Sequence, residues 1–80
     1  MIISLYAIKD DADKGYGAPF FAPGDKSAKR VFEQAILSNE IKRRHCEDYE
    51  LYSLADMNTD NGNVIGHDPE LIDEGKNYGE

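Results

Sequence analysis

The chain has 80 residues, a formal net charge of −7, 40% hydrophobic residues and one cysteine. A chain this short forms one small domain that removes roughly 60% of its unfolded surface from water, so its core is marginal. The lone Cys46 excludes an intramolecular disulfide and fits a reducing compartment, and no apolar run approaches the ~20 residues of a membrane span.

Residues 2–8, Ile-Ile-Ser-Leu-Tyr-Ala-Ile, are rich in branched and aromatic side chains and end at Lys9-Asp10-Asp11, which predicts a strand. Both of its faces are largely apolar, as in a central strand or one covered by another molecule. These first residues carry no positive n-region and are too short for a secretory signal. Residues 10–18 read as a polar loop with Gly15 and Gly17, and Pro19-Phe20-Phe21-Ala22 as a short extended piece closed by Pro23-Gly24. A helix is predicted over residues 26–37 with Asp25 as N-cap, because Ala28, Val31, Phe32, Ala35 and Ile36 recur at the helical period. Residues 40–48 read as a charged connector and residues 49–55 as a second long strand. Asp60-Asn61-Gly62-Asn63 predicts a tight turn with positive φ at both central positions, leading to a short returning strand over residues 63–66. The expected fold is α+β, a small antiparallel or mixed sheet of three to four strands with one helix packed on it. Residues 1–72 form the single domain, and residues 73–80 an acidic, disordered tail.

Few chemical constellations survive inspection. Residues 56–62 begin like a calcium loop, but the glycine falls at the seventh position and His67 stands where a bidentate glutamate is needed, so a hairpin turn is the better reading. His45, Cys46 and His67 match no zinc spacing. His45 is poorly placed as a base for Cys46, because adjacent residues in an extended chain point in opposite directions. Phosphate-loop, dinucleotide-loop and nucleophile-elbow patterns do not occur. The expectation is a non-enzymatic protein without metal or cofactor.

Charge is divided unevenly. Residues 25–46 hold six of the nine bases, Lys26, Lys29, Arg30, Lys42, Arg43 and Arg44, against three acids, whereas residues 47–80 hold ten of the sixteen acids and one base. Phosphate contact is a local matter, so one basic face suffices for nucleic-acid binding in an acidic chain. The six bases are the candidate phosphate contacts. Tyr16, Phe20, Phe21 and Tyr52 are the candidate base-stacking side chains, each worth about 1–3 kcal/mol where a base stacks. The acidic end is expected to compete for the basic face.

Several segments, in order, resemble a known family: a strand ending Tyr6-Ala7-Ile8-Lys9-Asp10, then Pro19-Phe20-Phe21-Ala22, then a helix opening at Asp25 with Ala28, Arg30 and Phe32. They continue with His45-Cys46-Glu47-Asp48-Tyr49-Glu50-Leu51-Tyr52-Ser53-Leu54 and Asp60-Asn61-Gly62. The series resembles the small nonstructural protein of the gokushovirus branch of the Microviridae, phages with single-stranded DNA, over roughly residues 5–66. The family often carries proline after the histidine, where this chain has Cys46. The resemblance implies a DNA-binding role in genome replication. It is likened to that of protein C of the isometric phages, which favours the switch to single-strand synthesis and packaging. The expected partner is single-stranded DNA in the host cytoplasm, with no membrane contact and with self-association into a homo-oligomer adding burial. The alternative is a protein-interaction module without DNA affinity that binds a host replication protein or the procapsid, through an open sheet edge for example.

Overall fold

A computed structural model describes residues 1–79. Five strands form one antiparallel sheet: β1 (Ile2–Asp10), β2 (Gly15–Tyr16), β3 (Phe20–Ala22), β4 (Tyr49–Asn58) and β5 (Val64–Glu74). The helices α1 (Asp25–Leu37) and α2 (Glu40–Arg44) and two 3-10 turns, Cys46–Asp48 and Gly75–Tyr78, complete it. β1 lies inside the sheet, with β4 on one side and β2 and β3 following one another along the other; β5 pairs with β4 at the far edge. The fold is the expected α+β arrangement, with one more strand than the sequence suggests.

Register assigns each side chain to a face, because residues opposite one another in a ladder point the same way. Tyr6 faces Phe20 and Ser53, and Ile8 faces Leu51. This face meets α1, whose Ala28, Phe32 and Ile36 are buried and close the core over Tyr6, Ala22 and Leu51. Phe20 stacks on Tyr6 at 5.8 Å between ring centroids. Leu5 faces Phe21 and Ala55, Ala7 faces Tyr52, and Lys9 faces Tyr16 and Glu50, all on the opposite face. The register shifts between Leu5 and Tyr6, where β4 carries Leu54 as an extra residue, a bulge that bends and twists the strand.

The ends of α1 differ from expectation. Gly24 is the N-cap and makes no side-chain cap bond, while Asp25 is the first helical residue. The Asp25 carboxylate instead accepts from the Tyr6 hydroxyl at 2.7 Å, tying the helix start to the sheet. Beyond Ser38, the segment expected to be a connector turns once more as α2, capped by the Asn39 side chain, which accepts from the backbone N–H groups of Ile41 and Lys42. The hairpin loop after β4 also differs. Gly62 alone adopts positive φ, at 76°, and the Asn58 and Asn61 side chains accept from the Asp60 and Asn63 amides, so asparagine side-chain bonds replace a two-residue turn.

The returning strand is much longer than four residues, and the disordered tail expected over 73–80 is replaced through residue 79 by ordered chain; Glu80 lies outside the described residues. Asp73 and Glu74 close β5, and the following 3-10 turn docks Tyr78 edge-on against Phe32 at 5.8 Å. Buried Asp73 accepts from the Tyr78 hydroxyl, from Asn77 Nδ2 at 2.9 Å and from the Glu74 amide at 2.9 Å. A carboxylate with three donors stays charged at little cost, which is how an acidic segment becomes part of the core. Gly75 is required there: a methyl group would overlap the Cys46 carbonyl and come within 2.9 Å of the Tyr49 carbonyl oxygen.

Candidate nucleic-acid interface

All six candidate phosphate contacts lie on the helical layer. Lys26, Lys29 and Arg30 occupy the first two turns of α1 and are exposed. Lys42, Arg43 and Arg44 form the last turn of α2. The two triads sit at opposite ends of α1, whose 13 residues span about 20 Å.

Their surroundings are unequal. Arg44 is paired with Glu40 at 2.9 Å. Lys42 is half-buried, with its ammonium 5.9 Å from the centre of the Tyr49 ring. Lys26, Lys29, Arg30 and Arg43 make no ion pair among the described residues. Burial pushes the Asp73 carboxyl up, but the bonds from Tyr78, Asn77 and the Glu74 amide outweigh it, with the charge of Lys29 adding least, and hold it below the usual range. Two carboxylates of the acidic end have partners within the fold: Asp73 is bonded internally, and Glu74 pairs with Lys76 at 3.4 Å.

Of the stacking candidates, Tyr16 borders one pocket with Lys42 and Tyr49, and the others lie apart from the six bases. Phe20 packs in the core. Tyr16, Phe21 and Tyr52 lie on the other face of the sheet, where Tyr16 meets Tyr52 edge-on at 5.7 Å. The Lys9 ammonium lies 5.9 Å and 5.8 Å from the two tyrosine ring centres. Burial first, then the Glu50 carboxylate, raises the Tyr52 hydroxyl above its ordinary value. Lys9 was not singled out from the sequence; its alternation with Leu5 and Ala7 is the signal that sets it beside these aromatics. Apart from Lys42, which borders a pocket with Tyr16, the six candidate bases thus lie away from Tyr16, Phe21 and Tyr52, whose neighbouring cation is Lys9.

The remaining candidates stay apart. Cys46 is buried beneath Gly79, His45 is exposed on the helical layer, and His67 lies on β5 with Nε2 3.4 Å from Ser53 Oγ. Among the described residues no three His, Cys, Asp or Glu side chains group as metal ligands, and no helix is long and apolar enough to cross a membrane.

A family model described as Phage ORF5 protein matches residues 3–78. The match spans the whole sheet, both helices and the C-terminal turn, and the chain belongs to that family, a family of small phage proteins. No curated protein and no solved structure matches it.

Proposed function

We propose that this member of the Phage ORF5 family is a non-enzymatic protein that binds single-stranded DNA during phage genome replication. The observation that carries the reading is the helical layer itself: six bases on two consecutive helices, four of them without an ion-pair partner among the described residues. Contact through cations alone is directed at phosphate and indifferent to sequence. The bases are unevenly spaced along two helices, an arrangement that a flexible single strand follows more readily than a rigid duplex. The resemblance to the gokushovirus nonstructural protein supports a role at the switch to single-strand synthesis and packaging, where such coating would act.

Fluorescence anisotropy with a labelled oligothymidylate tests this. Affinity should fall with salt at a log–log slope of about −0.7 for each phosphate neutralised. Replacing Lys26, Lys29 and Arg30 by alanine should flatten that slope by about 2. Replacing Lys42, Arg43 and Arg44 should flatten it less, because Arg44 and Lys42 already have partners. Unchanged slopes in both triple variants would sink the assignment.

One observation favours a second reading, a module that binds a host replication protein or the procapsid without DNA affinity: Phe21 and Tyr52 lie away from the six candidate bases. Absence of oligothymidylate binding by the folded protein at low salt assigns the chain to that reading.

A further inference from the structure

We infer that the sheet face turned away from the helices is the interface of a homodimer, in which two copies pack face to face across β1, β4 and β5. The inference does not depend on DNA binding.

Among the described residues no helix covers this face, yet its strands present apolar side chains there. Ile3 and Leu5 on β1 meet Met57 and Ala55 on β4, and Val64 and Leu71 on β5 extend the row outward. Phe21, Val64 and Leu71 are 48%, 51% and 46% exposed in the single chain. Among the paired positions of this face, charged side chains cluster at one end, around Lys9, Glu50 and Glu74. An apolar centre with a charged margin is the anatomy of a protein interface and differs from that of a solvated sheet, which alternates with polar residues.

Size and shape point to a second copy as the occupant. β4's ten residues and the four strand positions across the sheet give a face of about 33 Å by about 19 Å, roughly 600 Å² in projection. Side-chain relief raises the accessible area towards the ~800 Å² that each partner of a standard interface buries. An isologous contact needs projections and hollows on the same surface. Here Phe21 and Tyr52 stand beside Ala7 and Ala55, which are 1% and 5% exposed. The lone chain is also less compact than its size warrants. Its surface is 5221 Å² against about 4,850 Å² expected for 9.0 kDa, and its radius of gyration is 12.9 Å against about 11.6 Å. With no disulfide available, pairing is the remaining route to more burial.

Pairing through the β5 edge is disfavoured. β5 carries Pro69, which has no N–H to donate, between Asp68 and Glu70, and its ladder with β4 is interrupted by two register shifts. Those are features that protect an edge from strand addition.

Light scattering after size exclusion should give wild-type protein twice the 9.0 kDa chain mass. The double variant Phe21→Glu with Leu71→Lys should run at the single-chain mass with an unchanged far-ultraviolet circular dichroism spectrum, and Val31→Glu on α1 should remain dimeric. Hydroxyl-radical footprinting of the unmodified protein gives a measurement that no folding defect can confuse. Phe21 and Leu71 should be labelled several-fold less than Val31 and Leu37, although exposure in the single chain is similar, 48% and 46% against 45% and 42%. A wild-type monomer at high micromolar concentration, a double variant that stays dimeric, or equal labelling of the two pairs overturns the inference.

Discussion

The two faces of the sheet are built from the same strands but are finished differently. Along β1, Tyr6 and Ile8 point into a core closed by Phe32 and Ile36, while Leu5 and Ala7 point to the opposite face, which no helix covers among the described residues. Over Tyr6, Ile8 and Leu51 the covered face is completed by local means, a helix 13 residues long and a C-terminal turn that brings Tyr78 against Phe32, while Ile2 and Ile65 farther along it stay 57% and 64% exposed. The uncovered face has apolar content without a lid. The comparison teaches that burial within the chain and apolar character are separable in a small domain, and that charge follows the layer that is finished. The bases lie on the helices, and four of them, Lys26, Lys29, Arg30 and Arg43, are exposed and make no ion pair among the described residues.

The largest test of this contrast is a pair of phenylalanine deletions. Phe32 is 0% exposed at the centre of the core, and Phe32→Ala should cost about 3–5 kcal/mol. That is most of the stability of a domain whose total lies at the low end of the usual ~5–15 kcal/mol, so the variant should be largely unfolded by urea titration at room temperature. Phe21→Ala on the other face should leave the folded chain intact, and its cost should grow with protein concentration, because it falls on association. A Phe21→Ala cost as large as that of Phe32→Ala and independent of concentration would erase the distinction between the faces.

Several parts of this arrangement were legible in the sequence for definite reasons. Ala28, Phe32 and Ile36 mark α1 because burial follows the helical period, although Val31, counted with them, lies just off the buried stripe and is 45% exposed. The double apolar character of β1 was visible as well, but alternation cannot say which face the helix takes. The charged stretch Glu40–Arg44 hid a helix because it has no buried side chain, and its one sign is the Asn39 cap. The C-terminal turn was invisible for a different reason. Its order depends on Asp73 collecting donors from residues up to five positions away, and an acidic, glycine-containing sequence carries no periodicity to announce that. The candidate interface was legible as a list of residues; which of them share a surface depends on register.

A middle-sized effect probes how the C-terminal turn completes the covered face. The Tyr78 hydroxyl, pushed up to about 12 by burial and by Asp73, donates to a carboxylate held below its ordinary range. Tyr78→Phe should cost about 1.5 kcal/mol at neutral pH, the worth of a hydrogen bond to a charged group. Asp73 has a depressed folded pKa, so its contribution is complete above the unfolded value near 3.9 and is lost as pH falls through the folded value. The stability gap between wild type and Tyr78→Phe should therefore narrow on acidification. At the alkaline end the sign reverses. Tyr6, also raised to about 12, and Tyr78 keep their protons in the fold after the unfolded chain loses its own. Stability should be unaffected by these groups below about pH 10 and fall between about 10 and 12, in step with tyrosinate absorbance. A gap that stays constant down through the acid range would show that Tyr78 acts by packing on Phe32 alone.

The smallest effect on stability separates charge from packing on the helical layer. Glu40 and Arg44 stand four residues apart on α2, at 68% and 70% exposure. Such a pair contributes about 0.3–0.5 kcal/mol, screened further by salt. Glu40→Ala should therefore leave the urea midpoint nearly unchanged. It also removes the carboxylate that pairs with Arg44, so oligothymidylate affinity should rise several-fold at low salt and the slope should steepen towards one more phosphate contact. Arg44→Ala should do less harm to binding than Arg43→Ala, because Arg44 must first give up Glu40 while Arg43 makes no ion pair among the described residues. If Glu40→Ala weakens binding instead, the pair is holding α2 in shape for the ligand. The helical layer would then depend on internal order as much as the core beneath it does, and the division between a packed face and a charged one would have to be redrawn at α2.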